Sequence, residues 1–122
     1  MPVLDIELVI SDSTPGLPAN LAQSLADAAA AVFGSPERTV WVKLQVIPSA
    51  QYAEDHGKLE EVYPVFVTVL KSRAPGGSAL EDEIQRLTEA IATVLNRPPE
   101  NVHILYQPDG AGRVAFGGRL VR

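Results

Sequence analysis

Apolar and polar residues alternate along 3–10, VLDIELVI, where Leu4, Ile6, Leu8 and Ile10 interleave with Asp5 and Glu7. A period of two predicts a half-buried strand. The stretch SDSTPGLPAN that follows is rich in turn and helix-start residues. From 18 to 33, Leu21, Leu25, Ala28, Ala29, Val32 and Phe33 fall on one helical stripe. Gly34-Ser35-Pro36 stops that helix. In TVWVKLQVI, Val40, Val42, Leu44 and Val46 alternate with Trp41, Lys43 and Gln45, which predicts a second strand.

The same pattern then recurs. PVFVTVLK at 64–71 reads as a strand, and RAPGGS as a turn. Ser78 and Glu81 have the spacing of a capping box. Leu80, Ile84, Leu87, Ile91 and Val94 form a second helical stripe, which Asn96-Arg97-Pro98-Pro99 ends. VHILYQ at 102–107 is the fourth strand. Pro2 and Pro64 stand as far apart in sequence as Val40 and Val102. The expectation is therefore one α+β domain over 1–122, with repeats at about 2–48 and 64–108 and a glycine-rich tail at 109–122. A helical crossover makes the two strands of each repeat parallel. Two β-α-β repeats give a four-stranded sheet with both helices on one face.

The other face is not uniformly polar. Trp41, Ile47, Phe66, Leu70 and Leu105 are expected there, and an exposed apolar patch of that kind marks an interface. The connection PSAQYAEDHGKLEEVY is polar and reads as a loop. The tail PDGAGRVAFGGRLVR looks too short to pack alone, which suggests pairing with a neighbouring chain.

Composition narrows the function. A net charge of −5 argues against a nucleic-acid partner. The chain has no cysteine, so disulfides and thiolate chemistry are excluded. His56 and His103 match no metal-binding spacing, and neither a metal nor a cofactor is expected. No apolar run approaches the roughly 20 residues of a membrane helix. Asp5 and Glu7 interrupt the first apolar run, so it does not read as a secretory signal. The expected location is the cytoplasm.

Pro2 raises a question of its own. A strand's first position tolerates proline. Removal of Met1 would instead leave Pro2 with a free secondary amine. Free α-amino groups titrate near 7.7–8.0, and burial lowers that value toward the range suited to proton transfer.

MPVLDIEL, VFGSPERTVWVKLQ and NVHILYQPDGAGRVAFGG, taken with the two β-α-β repeats, resemble the tautomerase superfamily over nearly the whole chain. That group includes 4-oxalocrotonate tautomerase, malonate semialdehyde decarboxylase, cis-3-chloroacrylic acid dehalogenase and macrophage migration inhibitory factor (MIF). AVFGSP and VTVLKSR are most similar to the decarboxylase branch, and VAFGG to the short 4-oxalocrotonate tautomerases. The resemblance implies a homotrimer with a pocket at each amino-terminal proline, partly formed by neighbouring subunits. It implies that Pro2 moves a proton between oxygen and carbon of a small keto or enol carboxylate.

The resemblance also nominates partners for the substrate. Arg73 matches an arginine of the decarboxylase and dehalogenase branches, and arginine suits a carboxylate because its donors form a fork. The second arginine of those branches is missing, since Ala74-Pro75-Gly76-Gly77 follows; Lys71 is a weaker substitute for Arg73. Trp41, or His103 in the second repeat, stands where 4-oxalocrotonate tautomerase has an arginine. His103 also falls where MIF has a pocket tyrosine. Glu37-Arg38-Thr39 replaces a water-activating aspartate of the decarboxylase, so that Arg38 is a candidate for substrate binding and Glu37 for the acid. Tyr106 and Phe116 are candidates for the pocket wall or for core packing. The leading function is a tautomerase. The alternatives are a decarboxylase or dehalogenase of the same superfamily, and a trimeric binding protein without catalysis.

Overall fold

The computed structural model describes residues 1–11, 16–57 and 63–122. The turn signals at 12–15 and part of the connecting loop, 58–62, lie outside the described residues. The chain runs β1 (Val3–Ile10), α1 (Leu21–Phe33), β2 (Trp41–Pro48), β3 (Val65–Leu70), α2 (Gly77–Leu95) and β4 (Val102–Tyr106). A short hairpin of β5 (Ala115–Phe116) and β6 (Arg119–Leu120) closes it.

The four long strands form one sheet in the order β2-β1-β3-β4. Each crossover pair, β1 with β2 and β3 with β4, is parallel. The two repeats meet through β1 and β3, which are antiparallel, with Val3 opposite Leu70 and Leu8 opposite Val65. Alternation decides which face is buried. Leu4, Ile6 and Leu8 of β1 join Val65, Val67 and Val69 of β3 in a single core with Leu25 and Ala29 of α1 and Leu87 and Ile91 of α2. Both helices thus cover one face.

The opposite face carries the apolar residues expected of it. Trp41 is 45% exposed and Leu105 66% exposed. Phe66 lies between Tyr52 and His103, with ring centroids 5.9 and 5.5 Å away.

Several local expectations are corrected. The first helix starts at Leu21 rather than near 18, because 18–20 form a turn ahead of it. The second starts at Gly77 with Gly76 as its cap, and no side-chain hydrogen bond caps it. Ser78 therefore already lies in the first turn, two positions too late for a capping box. The tail also finds partners within its own chain. Val121 N–H donates to Val114 O at 2.9 Å, and the ring of Phe116 meets Trp41 edge to face at 5.1 Å.

Leu87 is fully buried between α2 and the sheet. Truncating it removes transfer energy and leaves a cavity. Leu87→Ala is expected to lower unfolding free energy by about 2–5 kcal/mol in a denaturant titration. A loss below about 1 kcal/mol would mean that the helices pack on the sheet differently.

Candidate active site

Antiparallel pairing of β1 with β3 places the residues before Val3 beside those after Leu70. A cleft of about 330 Å³ opens at this junction. Met1 and Pro2 form one wall, and Lys71, Ser72 and Arg73 another. The third wall is the α1–β2 turn, through Ser35, Pro36 and Thr39.

Each wall has a local cause. Pro2 is buried, and its carbonyl accepts the Trp41 N–H at 3.0 Å, which ties the start of β1 to the start of β2. The α1–β2 turn uses two left-handed residues, Gly34 (φ 64°) and Arg38 (φ 63°). Glycine adopts that conformation without strain, so α1 ends sharply at Gly34. Within the turn the Thr39 hydroxyl donates to Pro36 O at 2.7 Å. The tail braces the third segment: Gly110 N–H donates to Lys71 O at 2.8 Å and Ala111 N–H to Ser72 O at 3.1 Å. Asp109 accepts the Ala74 N–H at 2.9 Å.

Pro2 and Arg73 are thus brought to one cleft, and Lys71 is there with them. Arg73 is exposed and forms no salt bridge with any described residue. Arg38 lines a larger neighbouring depression, about 760 Å³, between α1 and β2, with Asp27, Glu37 and Trp41. The two hollows share Ser35 and Pro36. The larger one has two acids beside its one cation, so it is the poorer host for an anion. His103 is exposed and packs on Phe66, on the sheet face away from the helices. Asp109 is occupied in holding the backbone at Ala74. Among the described residues no three His, Asp or Glu side chains converge to hold a metal. No helix among them is long and apolar enough to cross a membrane.

Behind the cleft lies a polar network that sequence reasoning missed. Lys71 Nζ donates to Glu83 Oε1 at 2.8 Å, with side chains only 17% and 9% exposed. The Tyr106 hydroxyl donates to the other carboxylate oxygen, Oε2. Lys71 Nζ also stands 4.4 Å from the centroid of the Phe33 ring. Tyr106 therefore faces the carboxylate of Glu83, not the cleft. Burial, then the hydrogen bond to Glu83 and its charge, push the Tyr106 phenol well above its usual range. Glu83 is a charged residue on an apolar stripe, three positions after Leu80 and four before Leu87. That mismatch was the available signal.

No family model and no curated protein sequence matches the chain. Solved structures do. A fused 4-OT forming a symmetric trimer aligns with TM-score 0.76 at 18% identity, covering 98% of this chain and 94% of that one. A MIF homologue from Prochlorococcus marinus aligns at 0.70 and 22% identity over 97% of each chain. FG41 malonate semialdehyde decarboxylase inhibited by 3-bromopropiolate aligns at 0.66 and 19% identity over 94% of this chain and 90% of that one. The chain shares the fold of these 4-OT, MIF-homologue and decarboxylase structures.

The network makes a pH prediction. A phenol whose folded pKa is raised supports the fold fully below its unfolded value, near 10, and loses that support as pH rises past it. Stability should fall above about pH 10 more steeply than in Tyr106→Phe, followed by thermal melts across pH. Parallel alkaline profiles for the two proteins would show that the Tyr106–Glu83 contact contributes nothing.

Proposed function

We propose that this chain is a cytoplasmic tautomerase, a homotrimer that transfers a proton between carbon and oxygen of a small 2-keto or enol carboxylate. The carrying observation is that Pro2 shares one cleft with Arg73, an exposed cation that forms no salt bridge with any described residue. Loss of Met1 would free the Pro2 amine and widen the cleft, since Met1 lines it. The ring holds the amine in one direction, which favours positioning. Neighbouring positive charge and burial both favour its neutral, basic form. Arg73, exposed at the rim, suits the carboxylate. Trimeric assembly is supported by the exposed Trp41 and Leu105 on the uncovered face and by the trimers of the fused 4-OT structures.

A second reading, a decarboxylating or dehalogenating lyase, is favoured by one observation. Lys71 lines the cleft where no second arginine follows Arg73, with its ammonium bonded to Glu83. The tautomerase reading stands ahead because neither candidate acid lines that cleft: Glu37 faces the α1–β2 depression and Asp109 is held by Ala74.

The test uses protein shown by intact mass to lack Met1. Ketonisation of phenylenolpyruvate should be measurable, and Pro2→Ala should lower kcat/KM by about 10²-fold or more, as loss of a positioned proton-transfer group does. Arg73→Ala should act mainly through KM. Equal activity with Met1 retained throughout would end the amine mechanism. Fast malonate semialdehyde decarboxylation without ketonisation would select the lyase. Light scattering at micromolar concentration should give a trimer, and a monomer there would refute the assembly.

A further inference from the structure

The residue that takes the carboxylate in the tautomerase reading sits on a segment with little structure of its own. Arg73 lies between the end of β3 at Leu70 and the start of α2 at Gly77. Residues 71–76 are neither strand nor helix. A loop that is free until a ligand orders it binds that ligand more weakly, because the lost freedom offsets part of the contact energy.

One short stretch near the end of the chain holds this segment. Gly110 N–H donates to Lys71 O at 2.8 Å, and Ala111 N–H to Ser72 O at 3.1 Å. On the other side of Arg73, the Ala74 N–H donates to Asp109 Oδ1 at 2.9 Å. The three bonds bracket Arg73, with two before it and one after. The bond after it is the one made by a side chain, and a carboxylate is a stronger acceptor than a neutral group. Asp109 binds the backbone and forms no salt bridge with Arg73, so the guanidinium stays open to an anion.

The bracing stretch is itself fixed. Arg113 and Val114 N–H both donate to Gly110 O at 2.8 Å, and Gly112 N–H donates to Val121 O at 2.6 Å. Phe116, in the hairpin that follows, packs on Trp41. A Cβ at Gly110 would meet Val114 Cγ1 at 2.8 Å and Leu70 Cδ1 at 3.3 Å, so the stretch lies close against the end of β3.

We propose that Asp109 is a positioning residue for Arg73. Through the Ala74 amide it fixes the segment that carries Arg73 at the Pro2 cleft, and so sets the affinity for the substrate carboxylate. This rests on the tautomerase reading and adds to it a determinant of substrate affinity carried by the tail.

Benzoylformate is a keto acid that cannot enolise, so calorimetry with it reads carboxylate affinity of Met1-free protein apart from turnover. Arg73→Ala should weaken binding. Asp109→Ala should weaken it about tenfold, the scale of one hydrogen bond to a charged group, and should act on ketonisation mainly through KM. Asp109→Asn keeps an acceptor oxygen and should recover most of the affinity. In an Arg73→Ala background, Asp109→Ala should weaken binding no further, because a residue that acts through Arg73 is not additive with it. A merely structural role would lower affinity in both backgrounds. Gly110→Ala disturbs the same stretch through Val114, should show the same dependence on Arg73, and carries the test if Asp109→Ala does not fold. Equal affinity in wild type and Asp109→Ala, additive losses with Arg73→Ala, or no benzoylformate binding in wild type would each overturn the proposal. Ketonisation with affinity indifferent to Asp109 would remove this role and keep the tautomerase reading. Binding that depends on both residues, without ketonisation, would do the reverse.

Discussion

The antiparallel pairing of β1 with β3 is the constraint on which the rest depends. With Val3 opposite Leu70, the residue before one strand lies beside the residue after the other. Pro2 meets Lys71 for that reason and no other. A slip of one residue would turn Leu4, Ile6 and Leu8 away from the helices and move the whole core to the bare face. The register that buries the core is thus the register that builds the cleft. Parallel pairing to β2 adds the third wall, because it carries the α1–β2 turn to the same end of the sheet.

The charged network shows how packing and chemistry meet at that end. Glu83 interrupts the apolar stripe of α2 at a position the helix must bury. An unpaired carboxylate there would cost far more than the pair does. Lys71 and Tyr106 answer it from the ends of two adjacent strands, β3 and β4. The tail braces the same place from outside through Gly110 and Ala111. A glycine is needed at 110, since a Cβ would come within 2.8 Å of Val114 Cγ1.

The strands, both helices and the one-sided sheet were legible because they rest on local period and on repetition. Leu4 to Ile10 and Leu80 to Val94 announce their own faces. What escaped was contact across sequence. Nothing near Lys71 identifies Glu83 on the next helix or Tyr106 on the last strand. The sequence makes Tyr106 a candidate for pocket wall or core, and in the fold its hydroxyl serves Glu83. The resemblance drew Pro2 and Arg73 together with Arg38, Trp41 and His103. Within one chain the first two share a cleft, Arg38 and Trp41 line the next hollow, and His103 lies on the far face. The tail's hairpin was hidden because strands of two residues leave almost no period to read.

The prolines around the outer strands bear on self-association. β2 and β4 are the sheet's two edges, and an edge offers free backbone groups to any stray strand. β4 spans only five residues, with Pro98 and Pro99 shortly before it and Pro108 two places after. Proline can donate nothing to a growing ladder. β2 is longer at eight residues, ends in Pro48, and carries Lys43 at its third position in a salt bridge to Asp5. A misfolding chain that tried to extend this sheet would find β4 truncated at both ends. It would find β2 charged near its start. Protection against amyloid-like stacking is therefore unequal between the two sides, and β2 is the flank where a strand from another chain could add.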